Sequence, residues 1–267
     1  MHTSLTSCAP VLRRTLAVLG GPIDAMSFAN AKDRVLAWGN AHESRYVVLA
    51  NVHVVVTASR EPTFGAVLAD ADLVTPDGAP VAWLMRKLGS PLQERVSGPD
   101  LTWALLERCA ADGLPVYFFG SAPETLKLLG ERVHAAFPNL VVAGFEAPPF
   151  RPMTLEEDVE AVERINASGA GLVFVGLGCP KQEFWMQAHR GRINAVMLGV
   201  GAAFDFHAGT IQRAPLWMRE NGLEWLHRLV SEPRRLWRRY LVTNTLFVWG
   251  AVWQLALKRT TVHESNS

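Results

Sequence analysis

In the stretch GLVFVGLGCPKQEFW, Gly176 and Gly178 follow an apolar run. Pro180 stands where a helix would begin, with Lys181, Gln182 and Glu183 in its first turn. A strand–turn–helix of this kind aims free backbone N–H groups and the positive end of a helix dipole at whatever sits above the strand, and Lys181 adds charge. The chemistry on offer is anion binding; the alternative is a helix start shaped by glycine and proline for packing alone. The spacing is neither G-x-x-x-x-G-K-[ST] nor G-x-G-x-x-G, so a P-loop is absent and a nicotinamide dehydrogenase has little support.

The run DADLVTPDG carries two carboxylate groupings. Asp77 closes the short strand LVT, at the strand end where a doubly wound fold holds its ligand. There it would serve as a general base toward a hydroxyl, once burial raises its pKa from about 3.9; the common P-D-G turn is the plainer account. Asp70-Ala71-Asp72 has the D-x-D form that holds a divalent ion on the diphosphate in many sugar-nucleotide enzymes, but three residues match by chance very often. We expect both acids to solvate a helix end, with no metal required. Asn51 follows the strand YVVLA and would cap the next helix or bond a sugar hydroxyl. Arg95 and Asp205 are further loop candidates. The eight histidines show no paired metal spacing, and no G-x-S-x-G elbow supplies a serine nucleophile.

These residues need a scaffold. Apolar runs at 15–20, 46–50, 115–120, 140–144, 171–176 and 195–200 alternate with amphipathic stretches. The stretches begin after Ser27, after Asp100, and after Ser121 with Glu124 three residues later. Alternating βα units predict an α/β fold: a Rossmann-like, doubly wound, mostly parallel sheet with its ligand beyond the C-terminal strand ends. Cys8, Cys109 and Cys179 form no C-x-x-C pair, and the first fourteen residues lack a signal-peptide pattern, so a cytoplasmic setting is expected.

After about Gly209 the texture changes. Residues 213–259 hold nine Lys and Arg against three Asp and Glu, while the rest of the chain is net acidic; five of the nine tryptophans lie beyond residue 209. Tyr240 to Leu257 is an eighteen-residue, mainly apolar stretch diluted by Thr243, Asn244, Thr245 and Gln254. That pattern suits an interfacial helix better than a span, with burial against the core or a second subunit as the alternative. Arg228, Arg235 and Arg238 fall at i, i+7 and i+10, one helix face if Pro233 does not break it. They would grip a lipid diphosphate or form a basic face drawn to membranes. We expect residues 1–208 to form the catalytic unit and 209–267 a basic, Trp-rich helical appendage.

Seven blocks, read in order, carry more than any one of them: Asn51; Thr75-Pro76-Asp77-Gly78; residues 94–101 (ERVSGPDL); 176–183 (GLGCPKQE); 201–206 (GAAFDF); Arg213-Ala214-Pro215; and 222–229 (GLEWLHRL). Together they resemble the WecG/TagA/CpsF family of bacterial glycosyltransferases across nearly the whole chain. The resemblance implies an inverting transferase that moves a sugar, usually from UDP, onto a sugar already carried by a polyprenyl diphosphate, in surface-polymer assembly. It implies Asp77 as base, Asn51 and Gln182 lining the active site, and Arg228, Arg235 and Arg238 on the lipid diphosphate. Where the family often has threonine, Leu49 stands here. The expected partners are a UDP-sugar, a polyprenyl-linked acceptor and the cytoplasmic face of the inner membrane, held peripherally, with no nucleic acid and with a homo-oligomer left open. A membrane-tethered protein that binds a sugar nucleotide without turning it over is the alternative.

Overall fold

The computed structural model describes residues 12–257 and 262–266, the side chains of Leu12, Arg235 and 262–266 excepted. Cys8, Lys258 and Arg259 lie outside the described residues. In chain order the elements are β1 (Leu12–Val18), β2 (Gly21–Asp24), α1 (Phe28–Asn40), β3 (Arg45–Ala50), α2 (Val52–Arg60), α3 (Pro62–Asp70), β4 (Leu73–Pro76), α4 (Ala79–Lys87), α5 (Gly98–Asp112), β5 (Val116–Gly120), α6 (Pro123–Ala136), β6 (Val142–Glu146), α7 (Leu155–Ala167), β7 (Leu172–Gly176), α8 (Lys181–His189), β8 (Val196–Gly199), α9 (Ala203–Ala208), α10 (Leu216–Glu220), α11 (Glu224–Ser231), α12 (Pro233–Ala256) and β9 (Val262–Asn266).

The main sheet has six parallel strands in the order β4-β3-β8-β7-β5-β6. Its inner strands are apolar and buried along almost their whole length, as a parallel sheet covered on both faces requires. Helices α2, α3, α4, α7, α8 and α12 cover one face, and α1, α5, α6 and α9 the other. This strand order sets β3 beside β8, so turns distant in sequence converge at the C-terminal edge. The close approach there demands small residues: a Cβ on Gly176 would lie 2.6 Å from the Phe204 ring, and one on Gly199 would lie 3.0 Å from the Gln182 amide.

Three expectations about the elements need correction. The run at 15–20 is not in the parallel sheet. Leu19 and Gly20 both take positive φ, 50° and 90°, so the chain doubles back through a two-residue hairpin and β1 pairs antiparallel with β2 on one side and β9 on the other. The strand placed at 140–144 runs from Val142 to Glu146. Ser27 caps α1 as expected, but α5 is capped by Ser97, with Asp100 inside the first turn, and Ser121, at φ 68°, precedes α6 without capping it.

The region after residue 209 is helical, with β9 at its end, and it packs on the body of the molecule. Phe247 and Ala251 of α12 belong to the buried core beside α2. Gln254 locks the same helix to β1, accepting from Leu19 N at 3.0 Å and donating to Ala17 O at 2.6 Å. Gln254→Ala strips both bonds. We expect it to lower unfolding free energy by about 1–3 kcal/mol in urea titrations, with faster amide exchange along α12. No helix among the described residues is long and apolar enough to cross a membrane.

Candidate active site

Two cavities meet over the C-terminal ends of β3, β4, β7 and β8. The first, about 440 Å³, is the more polar; it is walled by the turn from Gly176 into α8 and the turn from Gly199 into α9, which places Asp205 in a helix and not in a loop. The second, about 560 Å³, is mainly apolar and runs between α4, α11 and the inner side of α12. Asn51, His53, Asp77, Phe206, Arg228 and Arg239 line both.

Asp77 sits at that junction because β4 ends there. Its N–H donates to Ala50 O at 3.0 Å, and Pro76 O accepts from Val96 N at 2.9 Å, pinning the turn between β3 and the segment leading to α5. Burial raises the carboxyl to about 6, Arg95 opposes the rise, and Glu224 reinforces it. A carboxylate so tuned is half protonated near pH 6 and a competent base at neutral pH. Asn51 does what the sequence foretold of a cap, accepting from His53 N and Val54 N at 3.0 and 3.2 Å, and it also lines the junction.

Arg95 pairs with Glu224 of α11 and also donates to Arg219 O at 3.3 Å. Beside it Arg213 forks onto Asp100 at 2.7 and 2.8 Å. Burial pushes the Asp100 carboxyl up, but the Arg213 and Ser97 hydrogen bonds outweigh it and hold the group down at about 2. These pairs tie the segment after residue 209 to the body next to Asp77. Arg95 therefore supports the site through Glu224, and it also lines the apolar cavity.

The glycine-rich turn is only partly the open anion cradle its sequence suggested. Gly178 N–H is taken by Gln182 Oε1 at 3.2 Å, and Gln182 N donates to Gly178 O at 3.0 Å. Gly176, Gly178 and Gln182 line the polar cavity, whereas Lys181 is exposed and Glu183 is fully buried. Burial raises the Glu183 pKa; its Oε1 receives Gln182 Nε2 at 2.9 Å and fixes the amide's orientation. The Asp70–Asp72 pair lies at the opposite, N-terminal end of the sheet. Asp72 is buried rather than solvated, accepting from Arg45, Arg190 and Tyr46 N. Among the described residues no cluster of three or more His, Cys, Asp or Glu has metal-binding geometry.

The profile of the glycosyl transferase WecG/TagA/CpsF family matches residues 16–261. The chain belongs to this family. It is also 35% identical over 201 residues, 75% of this chain and 76% of the relative, to the N-acetylglucosaminyldiphosphoundecaprenol N-acetyl-beta-D-mannosaminyltransferase of Bacillus spizizenii.

For this glycosyltransferase the tail arginines need a correction. Arg228 lines both cavities, with its guanidinium 5.3 Å from the Phe206 ring. Arg238 lines neither; it is exposed and lies over Trp237. The residue that reaches the junction is Arg239. The one-face spacing fails because α11 stops at Ser231 and Glu232 is non-helical (φ −131°, ψ 56°) before α12 begins, so the helical phase is reset. The side chain of Arg235 lies outside the described residues. The Nε atoms of Arg228 and Arg239 are buried without a hydrogen-bond partner, as is Nδ1 of His53. Burial, with Arg239 nearby, lowers the His53 pKa to about 4, so the ring is neutral at pH 7. Sequence reasoning missed His53 and Arg239. The first was visible as the residue two after Asn51; the second had no signal separating it from Arg238.

Proposed function

We propose that this transferase moves a sugar from a UDP-sugar in the polar cavity onto a sugar carried by a polyprenyl diphosphate that enters through the apolar cavity. The observation that carries the reading is Asp77, a carboxylate with a raised pKa where the polar and the apolar cavity meet. Asp77 takes the proton of the acceptor hydroxyl as that oxygen bonds to the anomeric carbon. The bond from that carbon to the UDP oxygen breaks on the opposite face, so the configuration inverts. Charge on the departing UDP is met by the helix dipole of α8, aimed at the cavity, and by Arg228 and Arg239. No metal is assigned a role. The relative's name supports the acceptor class, since it is itself a transferase to a sugar–diphosphate–undecaprenol.

Incubation with a panel of UDP-sugars and a polyprenyl diphosphate-sugar, reading product mass, linkage and UDP release, tests this. One UDP-sugar should give an inverted product. Binding without UDP release, or a retained linkage, contradicts it.

A peripheral seat on the cytoplasmic face of the membrane completes the proposal. Trp237, Leu241, Trp249 and Trp253 are between 47% and 64% exposed along α12, whose arginines are grouped at its N-terminal end. Aromatic and cationic side chains together favour the headgroup layer. Trp249→Glu with Trp253→Glu should lower binding to anionic vesicles at least ~10-fold in sedimentation assays, with far-UV circular dichroism unchanged.

A further inference from the structure

The apolar cavity, about 560 Å³ in volume, is larger and more apolar than the acceptor sugar alone requires. Its inner end is polar, with Asp77, Glu224, Arg228 and Arg239; its apolar lining includes Trp83 and Pro80 from α4 and Phe247, Val248, Ala251 and Val252 from α12. Thr243 of α12 spends its proton on Arg239 O at 2.8 Å and leaves a methyl-like surface, while Tyr240 and Asn244 of the same helix also line the cavity. Phe247 and Ala251 form the floor at 4% exposure, while Val248 and Val252, at 61% and 58%, lie where the groove opens onto the outer face of the helix. The volume of about 560 Å³ falls inside the ~300–1,000 Å³ range of small-molecule sites. An inner end that holds two guanidinium groups, joined to an apolar run, is the complement of an amphiphile with an anionic head and a hydrocarbon tail.

Resting on the function proposed above, we infer that this groove holds the first isoprene units of the acceptor's own lipid chain, between α4 and α12. The chain is thus bound by protein before it reaches any bilayer, and it contributes to recognition directly. Diphosphate at Arg228 and Arg239 fixes one end, and the hydrocarbon leaves past Val248 and Val252.

The test uses the full chain in solution without vesicles. The acceptors are sugar diphosphates bearing a methyl group or one, two or three isoprene units, below their micelle-forming concentrations. For the native protein kcat/KM should rise at least ~10-fold from methyl to two units and then level off, as apolar burial in a bounded groove dictates. In Ala251→Trp, which fills the floor, the gain with chain length should disappear. A two-unit acceptor carrying a terminal benzophenone should label α4 and α12 around Trp83 and Val252, a readout that needs no variant. Equal rates across the series in the native protein, or labelling confined to other elements, would overturn the assignment while leaving the proposed transfer intact. Failure of every acceptor, methyl included, would overturn both. A bilayer acyl chain is the other source of hydrocarbon: if photoactivatable phosphatidylglycerol vesicles label the same residues and the isoprenoid acceptor does not compete, the groove belongs to the bilayer and the inference is wrong.

Discussion

Asp77→Asn is expected to reduce turnover at saturating substrates by ~10²–10⁴, the usual contribution of a positioned general base. The amide matches the carboxylate in shape and cannot accept the proton. The same variant should be more stable than the native protein at pH 7. The folded-state pKa of about 6 lies above the ordinary value of 3.8, so the folded state holds the proton more tightly than the unfolded chain. Stability linked to this group is therefore full below about pH 4 and declines as pH rises through 6. Above that, the buried charge costs about 1–3 kcal/mol, and the amide relieves that cost. Loss of activity with a gain in denaturant resistance at pH 7, and no gain at pH 4, is a signature that misfolding cannot imitate.

The second large effect belongs to the junction arginines. Arg228→Ala and Arg239→Ala should each lower kcat/KM for a diphosphate-linked acceptor by ~10–100-fold, since a charge-assisted hydrogen bond contributes about 1.5–3 kcal/mol. Arg238→Ala, removing a side chain that lies over Trp237 and away from both cavities, should change it less than ~3-fold at fixed vesicle binding. Steady-state kinetics with the acceptor varied checks the ranking. An Arg238 effect equal to that of Arg239 would restore the one-face arrangement that the sequence spacing suggests.

That contrast marks what was legible in the sequence. The parallel sheet could be read because buried strands such as VYFFG and LVFVG are continuous apolar runs punctuated by helix starts. Asp77 and Asn51 could be placed because each directly follows such a run, and the strand end decides the location. The phase of the tail could not be read. One non-helical residue, Glu232, resets the helical rotation between Arg228 and Arg239, and no periodicity argument crosses such a break. β1 misled for a different reason: its apolar pattern is that of any strand, and only the Leu19-Gly20 hairpin diverts it into a second sheet. The blocks containing Arg95, Asp100, Arg213 and Glu224 read as separate candidates in sequence. In the folded chain they are mutual ion-pair partners that hold α11 against the body beside Asp77. Nor did composition reveal that Phe247, Ala251 and Gln254 make α12 a wall of the site as well as a surface.

The pH dependence of kcat/KM, measured side by side for the native protein and Asp77→Asn with donor held constant, tests the role of Asp77 most directly. The native protein should show activity rising about tenfold per pH unit up to about pH 6 and then levelling, and the variant should be low and flat across that range. A native profile without this limb, or a variant that keeps it, would show that another group accepts the proton.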